Sequence, residues 1–258
     1  MINKKRSDSF NEVAEIYDIA RPGYPSELIE DVIKFANLLP WATILDIGTG
    51  TGKGTLPFAE KGYTIHCVEP GEKLVAIARD NLRFYPKVTF DIKTFEDCDL
   101  RADTFDLVIS AQAFHWINRE IGYFKVAQVL KENGYIALFW NFSPTLDTPV
   151  FKALNQAFQK YLPSMVYNPP SISSLIEKRK KWIVDSKYFK DLIIKEYSWN
   201  IDYDTNQYLN LLKTQTTYQT FSEDEKQSLS NVVIEILNAY GGYVTKSYLS
   251  VLFLAQKI

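Results

Sequence analysis

The sequence predicts an α/β protein: a mostly parallel sheet of seven strands, helices on both faces and a helical cap. Three observations carry that reading. Strand-like and helix-like patterns alternate through the first 140 residues, a glycine-rich loop follows the first strand, and two strands separated by a helical region come late in the chain. Such alternation is the mark of crossover units, in which each helix returns the chain to the same end of the sheet.

The first strand is expected at Thr43–Asp46, where the apolar run Ala42–Leu45 leads into an acidic residue. Gly48, Gly50, Gly52 and Gly54 follow at alternating positions and open a helix over Gly54–Lys61. Glycine is needed where backbone turns with positive φ or lies against a ligand, so the loop calls for a nucleotide-like molecule. A P-loop would need glycine five residues before the Gly52-Lys53 pair, and Ile47 stands there. The dinucleotide fingerprint fails as well, since its third glycine would fall on Lys53 or Thr55. What remains is acidic-x-Gly-x-Gly-x-Gly, made by Asp46, Gly48, Gly50 and Gly52.

The second strand, Tyr63–Glu69, ends on a carboxylate about twenty residues beyond the glycines, where an acidic side chain can accept both hydroxyls of a ribose. Alternatively, Glu69 is a surface carboxylate favoured at the start of a helix over Glu72–Phe84. Strands at Lys87–Ile92, Phe105–Ser110 and Tyr135–Trp140 follow, with a helix at Glu120–Lys131 closed by Asn133-Gly134. Beyond Asn141 helices are expected at Thr148–Leu162, Ile172–Val184, Asp204–Lys213 and Glu223–Tyr240, with strands at Leu192–Trp199 and Ser247–Ala255. Asn168-Pro169-Pro170 breaks the chain, and Gly241-Gly242 turns it into the last strand. The whole chain, 1–258, reads as one domain whose cap comes from 1–30 and about 142–220.

A net charge of −2 at pH 7 and 46% hydrophobic residues suit a cytoplasmic globular protein and argue against nucleic acid as a partner. Met1–Arg6 is basic, yet no apolar signal core follows and no run is long enough to span a bilayer. Cys67 and Cys98 make neither a disulfide framework nor a metal cluster. Glu177–Lys181 reads as a solvated helix face. Asn168-Pro169-Pro170-Ser171 is not the Asn-Pro-Pro-aromatic motif of base amino-methyltransferases, because Ser171 holds the aromatic position and the motif's place after the fourth strand has Ala111–Phe114.

The acidic-glycine pattern resembles motif I of class I methyltransferases dependent on S-adenosylmethionine (SAM). The resemblance extends through Tyr17–Pro25, Thr94–Asp97, Phe105–Val108, Ala111–Trp116 and Leu130–Gly134, and is to the type 11, trans-aconitate-methyltransferase-like group. It implies a Rossmann-like sheet with its last strand antiparallel, and SAM contacts at Asp46, Gly48, Gly50, Glu69, Phe95 and Gln112. Thr94-Phe95 stands where the family often has Asp-Ala, leaving the Phe95 N–H and the Glu96 carboxylate for the adenine. Arg21 suits the SAM carboxylate and Tyr17 would close over the methionine portion, unless Arg21 simply lies on the surface beyond a helix end.

Methyl transfer is an in-line displacement, so alignment and exclusion of water are the main tasks. His115 is the candidate catalytic residue, able to hold an acceptor or take its proton, or else merely to pin its loop. Tyr24, His115, Trp116, Trp140 and Asn141 are the candidate substrate pocket. Phe151, Phe158, Tyr161, Tyr167 and Trp182 make the cap aromatic, which fits an apolar acceptor or ordinary packing equally. The sequence thus indicates a SAM methyltransferase acting on a small molecule, at oxygen, with a carboxylate as one candidate acceptor. A tRNA or protein methyltransferase and a non-catalytic SAM-binding module are the competing readings. No metal is called for, and the oligomeric state is not legible.

Overall fold

The computed structural model describes residues 13–144, 146–161 and 170–258. Met1–Arg6, Tyr167, Asn168, Pro169 and the Tyr161 side chain lie outside the described residues. Strands β1 (Thr43–Ile47), β2 (Thr64–Val68), β3 (Val88–Asp91), β4 (Phe105–Ala111) and β5 (Leu130–Phe142) run parallel. β6 (Phe189–Asp204) and β7 (Tyr243–Lys257) complete a 7-stranded sheet in the order β3-β2-β1-β4-β5-β7-β6, with β7 antiparallel to both neighbours. The chain reverses its direction of travel across the sheet between β1 and β4, which opens a crevice at the carboxyl ends of those strands.

Successive residues of β1 serve opposite faces. Ile44 joins Leu107, Ile109 and Phe139 beneath helix α2 (Ser26–Phe35), which contributes Leu28, Ile29 and Val32. Leu45 and Ile47 join Val108, Leu138 and Val126 on the other face, covered by α5 (Arg119–Val129) and α7 (Ile172–Ser186). Each such side chain contributes about 1.5–3 kcal/mol by leaving water. A one-residue register slip would interchange the faces of the whole strand, so the burial fixes where the glycine loop emerges.

The remaining helices are α1 (Ala14–Ala20), α3 (Leu56–Ala59), α4 (Glu72–Asn81), α6 (Pro149–Tyr161), α8 (Thr205–Lys213) and α9 (Glu223–Ala239). Two boundaries differ from the sequence expectation for a local reason. α5 stops at Val129, because the fully buried Leu130 is already extended and pairs with Phe105 of β4. Asn133-Gly134 therefore lies within β5 rather than capping the helix. Asn133 takes φ +63, and a Cβ at Gly134 would come within 3.0 Å of the Lys131 carbonyl oxygen. The helix after the glycine loop is also shorter than Gly54–Lys61.

The late strands exceed their expected lengths, and this shapes the site. Leu249 of β7 lies opposite Phe142, the last residue of β5, so Tyr243–Tyr248 pair with β6 alone and run past the carboxyl edge of β5. This two-stranded arm carries α8 and α9. Its own apolar cluster unites Tyr203, Tyr208, Leu212, Leu229, Val233 and Tyr248 with Leu154 of α6, and Phe151 and Phe158 pack against it. Capping boxes start both arm helices: Asp204 with Gln207, and Ser222 with Glu225.

Candidate active site

Two clefts open at the carboxyl edge of the sheet, and Tyr17, Gly48, Gly50, Ala111 and Gln112 line both. The larger, about 390 Å³, is bounded further by Val68, Glu69, Leu74, Thr94, Phe95, Glu96, Asp97, Trp116 and Ile117. The smaller, about 150 Å³, lies between the glycine loop and the β6–β7 arm, against Arg21, Tyr24, Lys53, Asn141, Ser143, Leu211, Gln215, Lys246 and Tyr248.

The glycines take the conformations their spacing suggested. Gly48, Gly50 and Gly52 have φ of +71, +59 and +89. A Cβ on Gly48 would lie 2.3 Å from the Ala113 Cβ, whereas one on Gly50 would meet nothing within 4 Å. Gly48 is thus required by close packing; Gly50 leaves backbone bare toward the clefts.

Glu69 is buried and braces this loop. Its Oε2 accepts from the Gly50 N–H at 3.0 Å and its Oε1 from the Gly71 N–H at 2.9 Å. Burial raises its pKa even though both N–H bonds oppose that shift. Each oxygen keeps a lone pair, so acceptor capacity toward the larger cleft survives. Asp46 sits beneath the loop and lines neither cleft; its Oδ2 accepts from Thr55 Oγ1 at 2.6 Å, and its Oδ1 is buried without a hydrogen-bond partner. Burial, reinforced by the Glu69 charge, pushes the Asp46 carboxyl up to about 7.

Thr94, Phe95 and Glu96 form a turn on the larger cleft. Thr94 Oγ1 donates to Asp97 Oδ2 at 2.6 Å, and Lys125 Nζ donates to the Phe95 carbonyl at 2.7 Å. Gln112, at φ +59, donates through Nε2 to the Asn141 carbonyl at 3.1 Å. Arg21 is not left on the surface: its Nε donates to Thr214 Oγ1 at 2.8 Å and its Nη2 to the Thr214 carbonyl at 3.0 Å, beyond α8. Its guanidinium carbon lies 5.5 Å from the Tyr17 ring centroid.

The candidate substrate residues separate. Tyr24 and Asn141 line the smaller cleft, Tyr24 standing edge-on to Phe139 with centroids 4.7 Å apart. Trp116 lines the larger cleft instead. Trp140 is buried in the core, with the Arg179 guanidinium 4.3 Å from its ring centroid. His115 faces a third concavity with Glu96, Trp116, Arg119 and Trp182, beside the larger cleft. Its Nδ1 accepts from Trp140 Nε1 at 3.2 Å, which puts the proton of the neutral ring on Nε2. Burial, with the Arg179 charge second, lowers its pKa to about 4. His115 is thus neutral at pH 7 and a poor proton acceptor, held away from the cleft that Arg21 and Tyr24 share.

Arg179 also corrects the charge run on α7. It is buried over Trp140 and Phe142, while Glu177, Lys178, Lys180 and Lys181 are exposed as expected. Cys98 is more than incidental. Its Sγ donates to Asp91 Oδ2 at 3.3 Å, and His66 Nε2 lies 3.2 Å from the same oxygen. Those hydrogen bonds explain why His66, Asp91 and Cys98 cluster.

Sequence reasoning missed Asp97 and Leu74 on the larger cleft, and Lys53, Ser143, Leu211, Gln215, Lys246 and Tyr248 on the smaller. Leu211, Lys246 and Tyr248 of the second group come from α8 and the arm, which no local motif marks.

Residues 45–138 match the family model described as a methyltransferase domain. That segment is therefore similar to a methyltransferase domain. The match begins at the end of β1 and closes within β5, so it includes the glycine loop, Glu69 and the Thr94–Asp97 turn. An uncharacterized methyltransferase of Mycobacterium bovis is 34% identical over 135 residues, 52% of each chain. CRG1 of Saccharomyces cerevisiae, provisionally named as a SAM-dependent methyltransferase, is 31% identical over 56% of this chain and 50% of its own. The chain therefore spans about half the length of the curated relatives it matches. The fold as a whole resembles a structure from Anaeromyxobacter dehalogenans, provisionally a type II methyltransferase. The TM-score is 0.67 at 20% identity, covering 92% of this chain and 97% of that one. Phosphoethanolamine N-methyltransferase 2 of Haemonchus contortus, solved with SAM, superposes with a TM-score of 0.56 at 17% identity over 97% of this chain and 57% of its own.

Proposed function

We propose that the methyltransferase domain transfers the methyl group of SAM to an oxygen of a small acceptor, with a carboxylate as the favoured acceptor group. The observation that carries this is the pair of adjoining clefts, which share the bare glycine loop and Gln112. The residues present fit SAM. Gly50 offers unobstructed backbone, Glu69 retains acceptor capacity, and Asp46 has an orphaned buried oxygen beneath the loop. In this reading Glu69 accepts the ribose hydroxyls, and Thr94, Phe95 and Glu96 edge the adenine beside Leu74 and Trp116. Arg21, held by Thr214, faces the amino-acid carboxylate, and a bound ammonium above Asp46 favours the ionised form of that carboxyl.

SAM supplies an electrophilic methyl on a positively charged sulfur. Tyr17 and Gln112, on both clefts, align the acceptor oxygen with it and close off water. The forming bond is oxygen to methyl carbon as the carbon–sulfur bond breaks. An ionised carboxylate carries no proton to remove, so the absence of His115 from both clefts is no obstacle. Incubation of the full chain with methyl-labelled SAM and a panel of small carboxylic acids, phenols and amines tests this. Label is expected in base-labile esters; label confined to amines would overturn the oxygen assignment, and label in none would remove the catalytic reading.

A further inference from the structure

Three cations line the smaller cleft, and for two of them, Arg21 and Lys246, no carboxylate among the described residues forms an ion pair. Arg21 bonds only to the neutral Thr214, and Lys246 donates its ammonium to the neutral Ser143 hydroxyl. Neither figures among the ion pairs of the described residues, while Lys53 on the same cleft is matched by Asp18 at 3.7 Å. Lys246 reaches the cleft because β7 runs past the edge of β5, and its ammonium lies over Phe151 and Tyr248, with Nζ 5.9 and 5.5 Å from the ring centroids. Burial, with the Arg21 charge second, lowers its pKa to about 8. A partly desolvated ammonium beside another cation is unfavourable in a ligand-free cleft; a bound anion relieves it.

We propose that Lys246 is the acceptor-anchoring residue of the smaller cleft, binding an anionic oxygen group, carboxylate or phosphate, on the molecule to be methylated. The assignment rests on the proposed function for calling that anion the acceptor, and makes the β6–β7 arm the determinant of specificity. Arg21 lies over the ring of Tyr17, which lines both clefts, and is left to the cofactor's own carboxylate. Lys246, with Ser143 and Tyr248 on the smaller cleft, has no such claimant.

The test titrates the full chain, alone and saturated with S-adenosylhomocysteine (SAH), with glutarate and phenyl phosphate, using glutaramide and benzamide as neutral counterparts. At least one anion is expected to raise the melting temperature of the SAH-saturated protein while its neutral counterpart does not. Lys246→Gln should weaken that anion about tenfold without loss of SAH affinity, and Lys246→Arg should restore it. An equal response to acids and amides, no response to either anion, or an undiminished response in Lys246→Gln would each overturn the proposal. Should SAH itself fail to bind, the methyltransferase reading falls, and the SAH-free titrations of the three proteins still decide whether Lys246 holds an anion.

Discussion

Asp46 holds its proton up to about pH 7 in the folded protein, against 3.8 for an ordinary aspartate. A carboxyl whose folded pKa is raised contributes stability that is fully present below the unfolded value and is lost as pH rises through the folded one. Between pH 5 and pH 8 the unfolded chain is ionised throughout at this residue, while the folded chain gives up its proton. Asp46 alone should therefore remove about 2–3 kcal/mol of stability over that interval. Denaturant unfolding of the wild type and Asp46→Asn at both pH values measures it as a double difference. The wild type should lose ground to the variant as pH rises, and parallel behaviour would show that Asp46 is already ionised at pH 5. Glu69 illustrates what sequence spacing can reach at this scale. Its position predicted a carboxylate near a ribose, yet the same side chain also pins the Gly50 N–H. His115 was ambiguous from sequence because its surroundings, Trp140 and Arg179, lie on other elements.

Among elements, the glycine loop and the β6–β7 arm differ most in how they are encoded. The loop is local: four alternating glycines after an acidic residue require a backbone that other residues cannot follow. Its first two glycines can be separated experimentally. Gly48→Ala would drive a Cβ to 2.3 Å from Ala113 at φ +71, and should cost about 2–4 kcal/mol in unfolding free energy from overpacking and left-handed strain together. Gly50→Ala meets no atom within 4 Å and should cost only about 1–2 kcal/mol, while obstructing the clefts and weakening SAH binding more than stability. Unfolding and SAH titration of both variants check the contrast; equal stability losses would contradict it. The arm has no such signature. Its outer half pairs only with itself, so half-exposed residues such as Lys246 and Thr245 interrupt the apolar run by which a strand is recognised, and only the buried segment from Ser247 onward was legible. Asn133-Gly134 misled for a related reason: the pair is a stop signal for helices, and whether Leu130 ends a helix or begins a strand is decided by burial against β4.

For the molecule as a whole, the larger cleft was legible in the sequence and the smaller one was not. Helices separate most of the first five strands, and the turns on the larger cleft follow their strands, so spacing locates Gly48 and Glu69 while the family resemblance adds Phe95 and Gln112. The smaller cleft instead gathers Arg21, Asn141, Gln215 and Lys246 from segments separated by most of the chain, and Arg21 is held by Thr214 across 193 positions. No periodicity encodes such an encounter. The central claim, that the glycine-loop cleft takes SAM, is most directly tested by calorimetric titration of the full chain with SAH, with NADH as the control. A Kd in the micromolar range, about −8 kcal/mol, is expected for SAH and no heat of binding for NADH. Absence of binding by SAH and SAM at millimolar concentration, or binding of NADH in their place, would contradict the account.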